Sequence, residues 1–582
     1  MDEKSQYQLG SIPPPKPKSG RKVSHFLTAT VLTGLLFILG QKYLQPPSNN
    51  WNPLDPEFNS DICPQVAPLS PSTITEDLIA LEKSIQSDSY RNRSIERLSE
   101  AVQIDTQVFD DLGPVGTDPR WDVFYAFAAY LEKTYPQVHG MLKLEKVNTH
   151  GLVYTWAGED PDLKPTLLLA HQDTVPVQEA TVSEWVHPPW SGFVDGEVIW
   201  GRGSVDCKSQ LTAILDAVEE LAVHGFKPRR TLLLAFGFDE EASGVQGARY
   251  ISQFLEERYG KDSLAVIVDE GAGLERKWGR VFATLTVGEK GYLDVGITVR
   301  TPGGHSSAPP PHTSIGILSE LVTAIEANVY KPWLHEKNPY LDQLRCGAVH
   351  GSEFPEKFRN LLRKHRGLEQ YPGPHERDAL AEEIAKEGPR TQYLVQTSSA
   401  VDVFSGGDKV NALPESASVK VNHRVNIGET TDKIEQRILN LATQTAKKYN
   451  LTIVNEFNSS PSPETPITNT LTLSILKEAL PPSPLTPTSI KNPSSPYAIL
   501  SGTTRAVFGE DVIIAPGVMT GNTDTRYFWD LTRHIFRFGI ALDAGNEGAG
   551  IHTVNERQDI QAHVRGAVWF SRFIRNMDEV EE

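Results

Sequence analysis

The strongest constraint on the fold comes from three short runs that are almost wholly apolar and that each end in ionisable groups. They are "TLLLAHQD" from Thr166 to Asp173, "RTLLLAFGFDEE" from Arg230 to Glu241, and "LAVIVDEG" from Leu264 to Gly271. A run that is apolar at successive positions reads as a strand covered on both faces. Helical patterns separate the runs. In "SQLTAILDAVEELAVHG", Leu211, Ile214, Leu215, Val218, Leu221 and Ala222 share one 3.6-residue face, with Gly225 just past the end. "GARYISQFLEERYG" reads as a second helix. Such alternation predicts a parallel or mixed sheet with helices on both faces. In open α/β sheets the carboxyl ends of the strands form the ligand crevice. His171 and Asp173, then Asp239, Glu240 and Glu241, then Asp269 and Glu270 all fall at such ends. Asp206 joins them from "WGRGSVDCKSQ", a turn that leads into the first helix.

Each residue has an ordinary explanation when taken singly. Asp206 suits a helix N-cap, "DEE" a solvated loop, and His171 a satisfied buried imidazole. Taken jointly, these explanations leave several carboxylates converging with only Lys208 nearby in sequence. A metal centre resolves that imbalance. Imidazole and carboxylate suit zinc, with cobalt or manganese as alternatives. Cys207 is also a ligand type, yet it adjoins Asp206 and the two cannot easily reach one point. The sequence has no H-E-x-x-H and no G-x-S-x-G, so the common single-zinc and serine-hydrolase motifs are missing.

From about Glu289 the pattern changes. "GYLDVGITVR" and "SASVKVNHRV" alternate like half-exposed strands, "SIGILSELVTAIEANV" and "TDKIEQRILNLATQTAKKY" read as helices, and "LTIVNEF" as a last strand. That is close to a β-α-β-β-α-β order, a two-layer α+β module of ferredoxin-like type. A polar stretch at about 330–390 interrupts it. After the Pro/Ser-rich "NSSPSPETP", "TLTLSILKEAL" reads as another helix. The expected architecture is a mixed-sheet α/β catalytic domain in two parts, 73–288 and 458–582, split by an inserted module at 289–457.

With 582 residues the chain has ample volume for a large core. Lys and Arg number 56 against 74 Asp and Glu, so 56 − 74 gives −18, which excludes a nucleic-acid backbone as partner. Cys63, Cys207 and Cys346 allow one bridge at most, and the pairing is open. At the N-terminus, Lys16, Lys18, Arg21 and Lys22 precede an apolar run, and 19 residues separate Lys22 from Lys42. About 20 suffice to cross a bilayer. The basic flank keeps residues 1–22 cytosolic, 23–41 read as an uncleaved anchor, and 42–72 as a stalk rich in Pro, Asn and Ser. A cleaved signal peptide is the competing reading, without a clear small-x-small cleavage site. Asn92, Asn450 and Asn458 lie in glycosylation sequons, which suit a lumenal body.

The motifs "HQDTVP", "GRGSVDCKS", "DEEASGVQG", "VDEG", "GGHSS" and "GIHTVNER" occur in this order over His171 to His552. In this the chain resembles the M20 family of co-catalytic zinc peptidases. The resemblance implies two zinc ions per subunit: His171 and Asp269 on one, Glu241 and His552 on the other, with Asp206 bridging. It implies Asp173 behind the ligands, Glu240 as general base, and His305 as the oxyanion donor, supplied in dimeric members by the neighbouring subunit. Asn411 and Arg526 would grip the substrate's carboxylate, with Arg424 a weaker candidate of the same kind. The inserted module would then act as lid and dimerisation surface of a homodimer. The implied protein is a type II membrane carboxypeptidase in the lumen of the vacuole or secretory pathway. It would act on small peptides with a free C-terminal carboxylate, Gly preferred before the leaving residue. An N-acyl-amino-acid hydrolase needs the same groups and stands as the alternative. A binding protein on a dead hydrolase scaffold is disfavoured, because every ligand position and Glu240 are chemically competent. A two-metal phosphatase is disfavoured by the motif set.

Overall fold

The computed structural model describes residues 58–365, 367–373, 375–457, 468–539 and 549–581. The expected tail and anchor, and the stalk as far as residue 57, lie outside the described residues, as does Asn458. Among the described residues no helix is long and apolar enough to cross a membrane.

The three apolar runs form adjacent central strands. Thr166–His171 lies between Leu232–Gly237 and Val266–Asp269, parallel to both, with His171 level with Gly237. Gly151–Trp156 and Lys143–Val147 extend the sheet antiparallel on one side. Ile535–Arg537, Arg280–Glu289 and Ile513–Met519 extend it on the other, and Leu274–Lys277 pairs with Arg280–Glu289. The result is a nine-stranded mixed sheet. Strand alternation divides its side chains between two cores. Leu168, Ala170, Leu234 and Phe236 pack with Leu211, Ile214 and Val218 of the helix Lys208–Val223 and with the closing helix Ile560–Asp578. Leu167, Leu169, Leu233 and Ala235 pack on the other face against Ile251 and Leu255 of the helix Ala248–Tyr259. Coverage of both faces accounts for strands without a polar interior position.

The second layer is a five-stranded sheet ordered Ser398–Gly406, Ser416–Val425, Gly291–Arg300, Thr470–Ile475, Thr452–Asn455. The helices Ser314–Ala327 and Thr431–Tyr449 supply Leu318, Leu321, Ile434 and Ile438 to its core. "TLTLSILKEAL" is therefore a strand over Thr470–Ile475 and not a helix. Leu471 and Leu473 are buried on one side of it, and it pairs antiparallel with Gly291–Arg300. The module's sheet thus extends past residue 457. Among the described residues the polar stretch at 330–390 carries four helices, beginning with Pro339–His350, and has a core of its own built on Leu341, Leu344, Phe358, Leu362, Leu380 and Ile384.

Part of the expected stalk is bound to the body. Cys63 is disulfide-bonded to Cys346, 283 residues away in sequence. The Gln65 side chain pairs with both backbone groups of Ile514 (3.0 and 2.8 Å), and Leu69 N donates to Gly502 O at 2.9 Å.

Candidate metal centre and active site

His171 ends its strand fully buried, and its two ring nitrogens face different groups. Nδ1 lies 3.3 Å from Asp173 Oδ1 and 3.0 Å from the Asp173 carbonyl oxygen. Nε2 lies 3.1 Å from Asp206 Oδ1 and 3.4 Å from Glu270 Oε1. Asp206, in the turn before the helix Lys208–Val223, turns its other oxygen to His552 Nε2 at 3.0 Å. His552 Nε2 is also 3.2 Å from each oxygen of Glu241. One carboxylate thus spans two histidines, and each histidine has a second carboxylate beside it. Asp173 serves both halves, since its Oδ2 accepts from the Glu241 amide at 3.0 Å.

Two neighbours of His171 bear on the expected ligand set. Asp269 forms no ion pair with His171 among the described residues. Fully buried, it hydrogen-bonds with Thr523 and feels the charge of His171, while Glu270 Oε1 lies directly beside that ring. Consecutive residues leaving a strand point to opposite sides, so one position decides which acid reaches the crevice. Cys207, His171 and Glu270 each offer a donor atom within 4.8 Å of one another, as do His171, Asp206 and Glu241. The buried thiol thus lies beside His171 and Glu270, in a different set from its neighbour Asp206.

Electrostatics bear on what the cluster could hold. Burial pushes Glu241 up to about 7 and Glu270 up to about 8. Burial, then the Glu270 carboxylate, holds Glu240 well above the usual range. His552 is drawn up to about 10 by its hydrogen bonds with Asp206 and Glu241. Burial opposes a charged His171, yet Glu270 and Asp173 keep it well above the ordinary imidazole value. Several buried acids thus share too few cations. The donor set of two imidazoles and three carboxylates fits zinc.

Glu240 starts a short 3₁₀ turn, and its Oε1 lies 3.7 Å from Arg526 Nη2. Arg526 sits in the turn Asp524–Tyr527, where its Nε donates to Thr523 O at 3.0 Å. Thr523 is held in turn by buried Glu289, which also pairs with Arg537 at 3.0 Å. Arg424 approaches from the second sheet, donating to Asn522 Oδ1 at 3.0 Å and stacking 5.0 Å over Tyr292. The structure therefore sets Arg526 beside Glu240, with Arg424 near enough to feel the charges of both. His305 and Asn411 meet each other instead. The pair Gly304–His305 ladders with Ala412–Leu413, and Ser306 N donates to Asn411 O at 3.3 Å. Both are exposed, and neither hydrogen-bonds to the acid cluster within this chain. Asn92 is exposed on the helix Asp88–Val102, and Asn450 is exposed as the left-handed cap of Thr431–Tyr449.

A mixed sheet with two histidines sharing one carboxylate at its carboxyl edge has the donor set of a metal-dependent hydrolase. The chain belongs to peptidase family M20/M25/M40, whose model matches residues 167–576. It is 38% identical to carboxypeptidase S of Saccharomyces cerevisiae over 566 residues, 95% of this chain and 96% of that one. It is 31% identical to the N-fatty-acyl-amino acid synthase/hydrolase of Mus musculus, over 84% of this chain and 88% of the relative. Human carnosine dipeptidase 1 shares the fold, with a TM-score of 0.58 at 15% identity, covering 88% of this chain and all of the other. The protein is thus a metal-dependent peptidase, as the motif order implies.

Proposed function

We propose that the protein is a di-zinc carboxypeptidase that releases the C-terminal residue of small peptides, with Gly preferred before it. The observation that carries this reading is the split of Asp206 between His171 and His552, at 3.1 and 3.0 Å. It supports one ion held by His171 and Glu270 and another by His552 and Glu241, with Asp206 shared. Zinc bound there would polarise the scissile carbonyl and lower the pKa of the attacking water.

The chain's own groups do the rest. Glu240 takes the proton from the water and passes it to the leaving amine nitrogen, a role suited by its raised pKa. Asp173 fixes the ring of His171 and the backbone of Glu241, as carboxylates behind ligands do. Arg526 receives the substrate's terminal carboxylate in its guanidinium fork. Its 3.7 Å separation from Glu240 leaves little length of substrate between the fork and the scissile bond, which favours removal of a terminal residue over internal cleavage. His305 and Asn411, exposed and without a hydrogen bond to the cluster among the described residues, would serve the site of a partner copy in a homodimer, His305 donating to the oxyanion.

The body is proposed to lie in the lumen of the vacuole or secretory pathway, anchored by residues 23–41 and glycosylated at Asn92, Asn450 and Asn458. The Cys63–Cys346 bridge supports an oxidising compartment.

Likeness to the fatty-acyl-amino acid hydrolase favours a second reading, hydrolysis of N-acyl amino acids. The same base, ligands and Arg fork serve both reactions. The purified protein is assayed on blocked Gly-Leu and on a long-chain acyl-leucine, each with and without chelator. The reading predicts faster, chelator-sensitive turnover of the peptide. Faster turnover of the acyl substrate would replace it with the second reading.

A further inference from the structure

Glu556 lies four residues beyond His552, and its side chain is fully buried although it is neither a candidate ligand nor a candidate base. Each of its oxygens has a task. Oε1 accepts from the backbone amides of Val205 at 3.0 Å and of Asp206 at 3.2 Å. Oε2 accepts from Arg202 Nη1 at 2.6 Å. The Glu556 carbonyl oxygen accepts from Gly201 N at 2.9 Å, and the neighbouring strands Arg557–Asp559 and Val198–Trp200 pair antiparallel. Arg202 is itself buried, its guanidinium 5.3 Å over the Trp185 ring. The segment that carries His552 is therefore docked onto the turn that carries Asp206, and the Glu556 carboxylate grips that turn at the amide of Asp206 itself.

We propose that Glu556, neutralised by Arg202, is a positioning residue that sets the orientation of Asp206, so that its two oxygens face two different histidines. The inference rests on the two-metal reading above and adds to it the group that registers the two halves of the site. Simple bonding of two amides does not require a carboxylate. A further buried acid beside a cluster already rich in acids is costly unless a cation balances it, and Arg202 supplies that balance. In a Glu556→Gln side chain the carbonyl oxygen can still accept from Val205 and Asp206, but the amide NH2 then opposes the Arg202 donors. That clash displaces the side chain, and with it the turn it holds at Asp206, without loss of any ligand.

The test titrates zinc into metal-free full-length protein against a competing chelator, and records the visible spectrum of the cobalt-loaded form. Asp216→Asn is the matched control. Asp216 forms a buried pair with Arg97 at 2.6 Å and touches none of the candidate ligands. Glu556→Gln is expected to bind zinc about 10–100-fold more weakly and to shift the cobalt spectrum. Asp216→Asn, even with a comparable loss of stability, is expected to do neither. Wild-type zinc affinity in Glu556→Gln, or equal weakening in Asp216→Asn, would overturn the proposal. If Glu556→Gln does not fold, Arg202→Lys carries the same test with the same expected direction, and unchanged affinity there overturns it equally. A wild-type chain that takes up no zinc would sink the two-metal reading itself, which is a distinguishable outcome.

Discussion

Loss of the Cys63–Cys346 bridge gives a prediction with a calculable size. The bridge spans 283 residues of sequence and ties the N-terminal strap to the helix Pro339–His350. The chain-entropy relation for a loop of that length gives about 5–6 kcal/mol of stabilisation at 25 °C, through restriction of the unfolded chain. Other links of the strap survive a Cys346→Ser substitution. His350 Nε2 donates to Cys63 O at 2.8 Å, and the Gln65 amide pairs with Ile514. Both sulfurs are buried, so a serine hydroxyl there adds a desolvation cost of about 1–3 kcal/mol if unpartnered. The expected outcome is a loss of several kcal/mol in urea unfolding, followed by both tryptophan fluorescence and far-UV circular dichroism. The wild type under reducing conditions should move toward the variant. A loss below about 1 kcal/mol would refute the entropic argument for this bridge.

Glu240→Gln should keep its zinc, measured by metal analysis, and lose about 10²–10⁴-fold in kcat; near-full activity would remove Glu240 from the base role. Arg526→Met should raise KM for a free-carboxylate substrate by about 10–100-fold, the equivalent of about 1.5–3 kcal/mol for a charged hydrogen bond, and should spare the amidated analogue. Lys290 gives a pH signature. It is buried, its ammonium donating to Tyr393 O and Gln396 O at 3.0 and 2.6 Å, and burial depresses its pKa to about 7. The unfolded lysine titrates near its ordinary value of about 10.4, so between about pH 7 and 10 the unfolded state binds more protons and stability rises with pH. Unfolding of metal-free protein at pH 7.5 and 9.5 should show a smaller rise in Lys290→Met than in wild type; equal rises would contradict the assignment.

The sheet and most of its cluster were legible because the signals were local. Apolar runs ending in His171 and in Glu240–Glu241 mark strand ends, and the Gly-containing turn before Lys208–Val223 marks Asp206. What escaped needed a register or a distant partner. Asp269 and Glu270 are adjacent, and sequence alone does not say how close each comes to His171, which the final turn of the strand sets. "TLTLSI" satisfies alternation at Leu471 and Leu473 but also an i, i+4 spacing from Leu471 to Ile475, an ambiguity inherent to short apolar runs. It was resolved only by pairing with Gly291–Arg300. The helices of 330–390 hid their core because surface charge outweighs it. Nothing in sequence joins Glu556 to Arg202, 354 residues apart.

The central claim is that two metal ions share Asp206. Anomalous X-ray diffraction at the zinc edge, from crystals of zinc-loaded protein, tests it most directly. The account predicts two peaks, one about 2.0–2.2 Å from His171 and Glu270 and one at the same range from His552 and Glu241, each also bound by Asp206. A single peak, or a peak bound by Asp269 in place of Glu270, would contradict it.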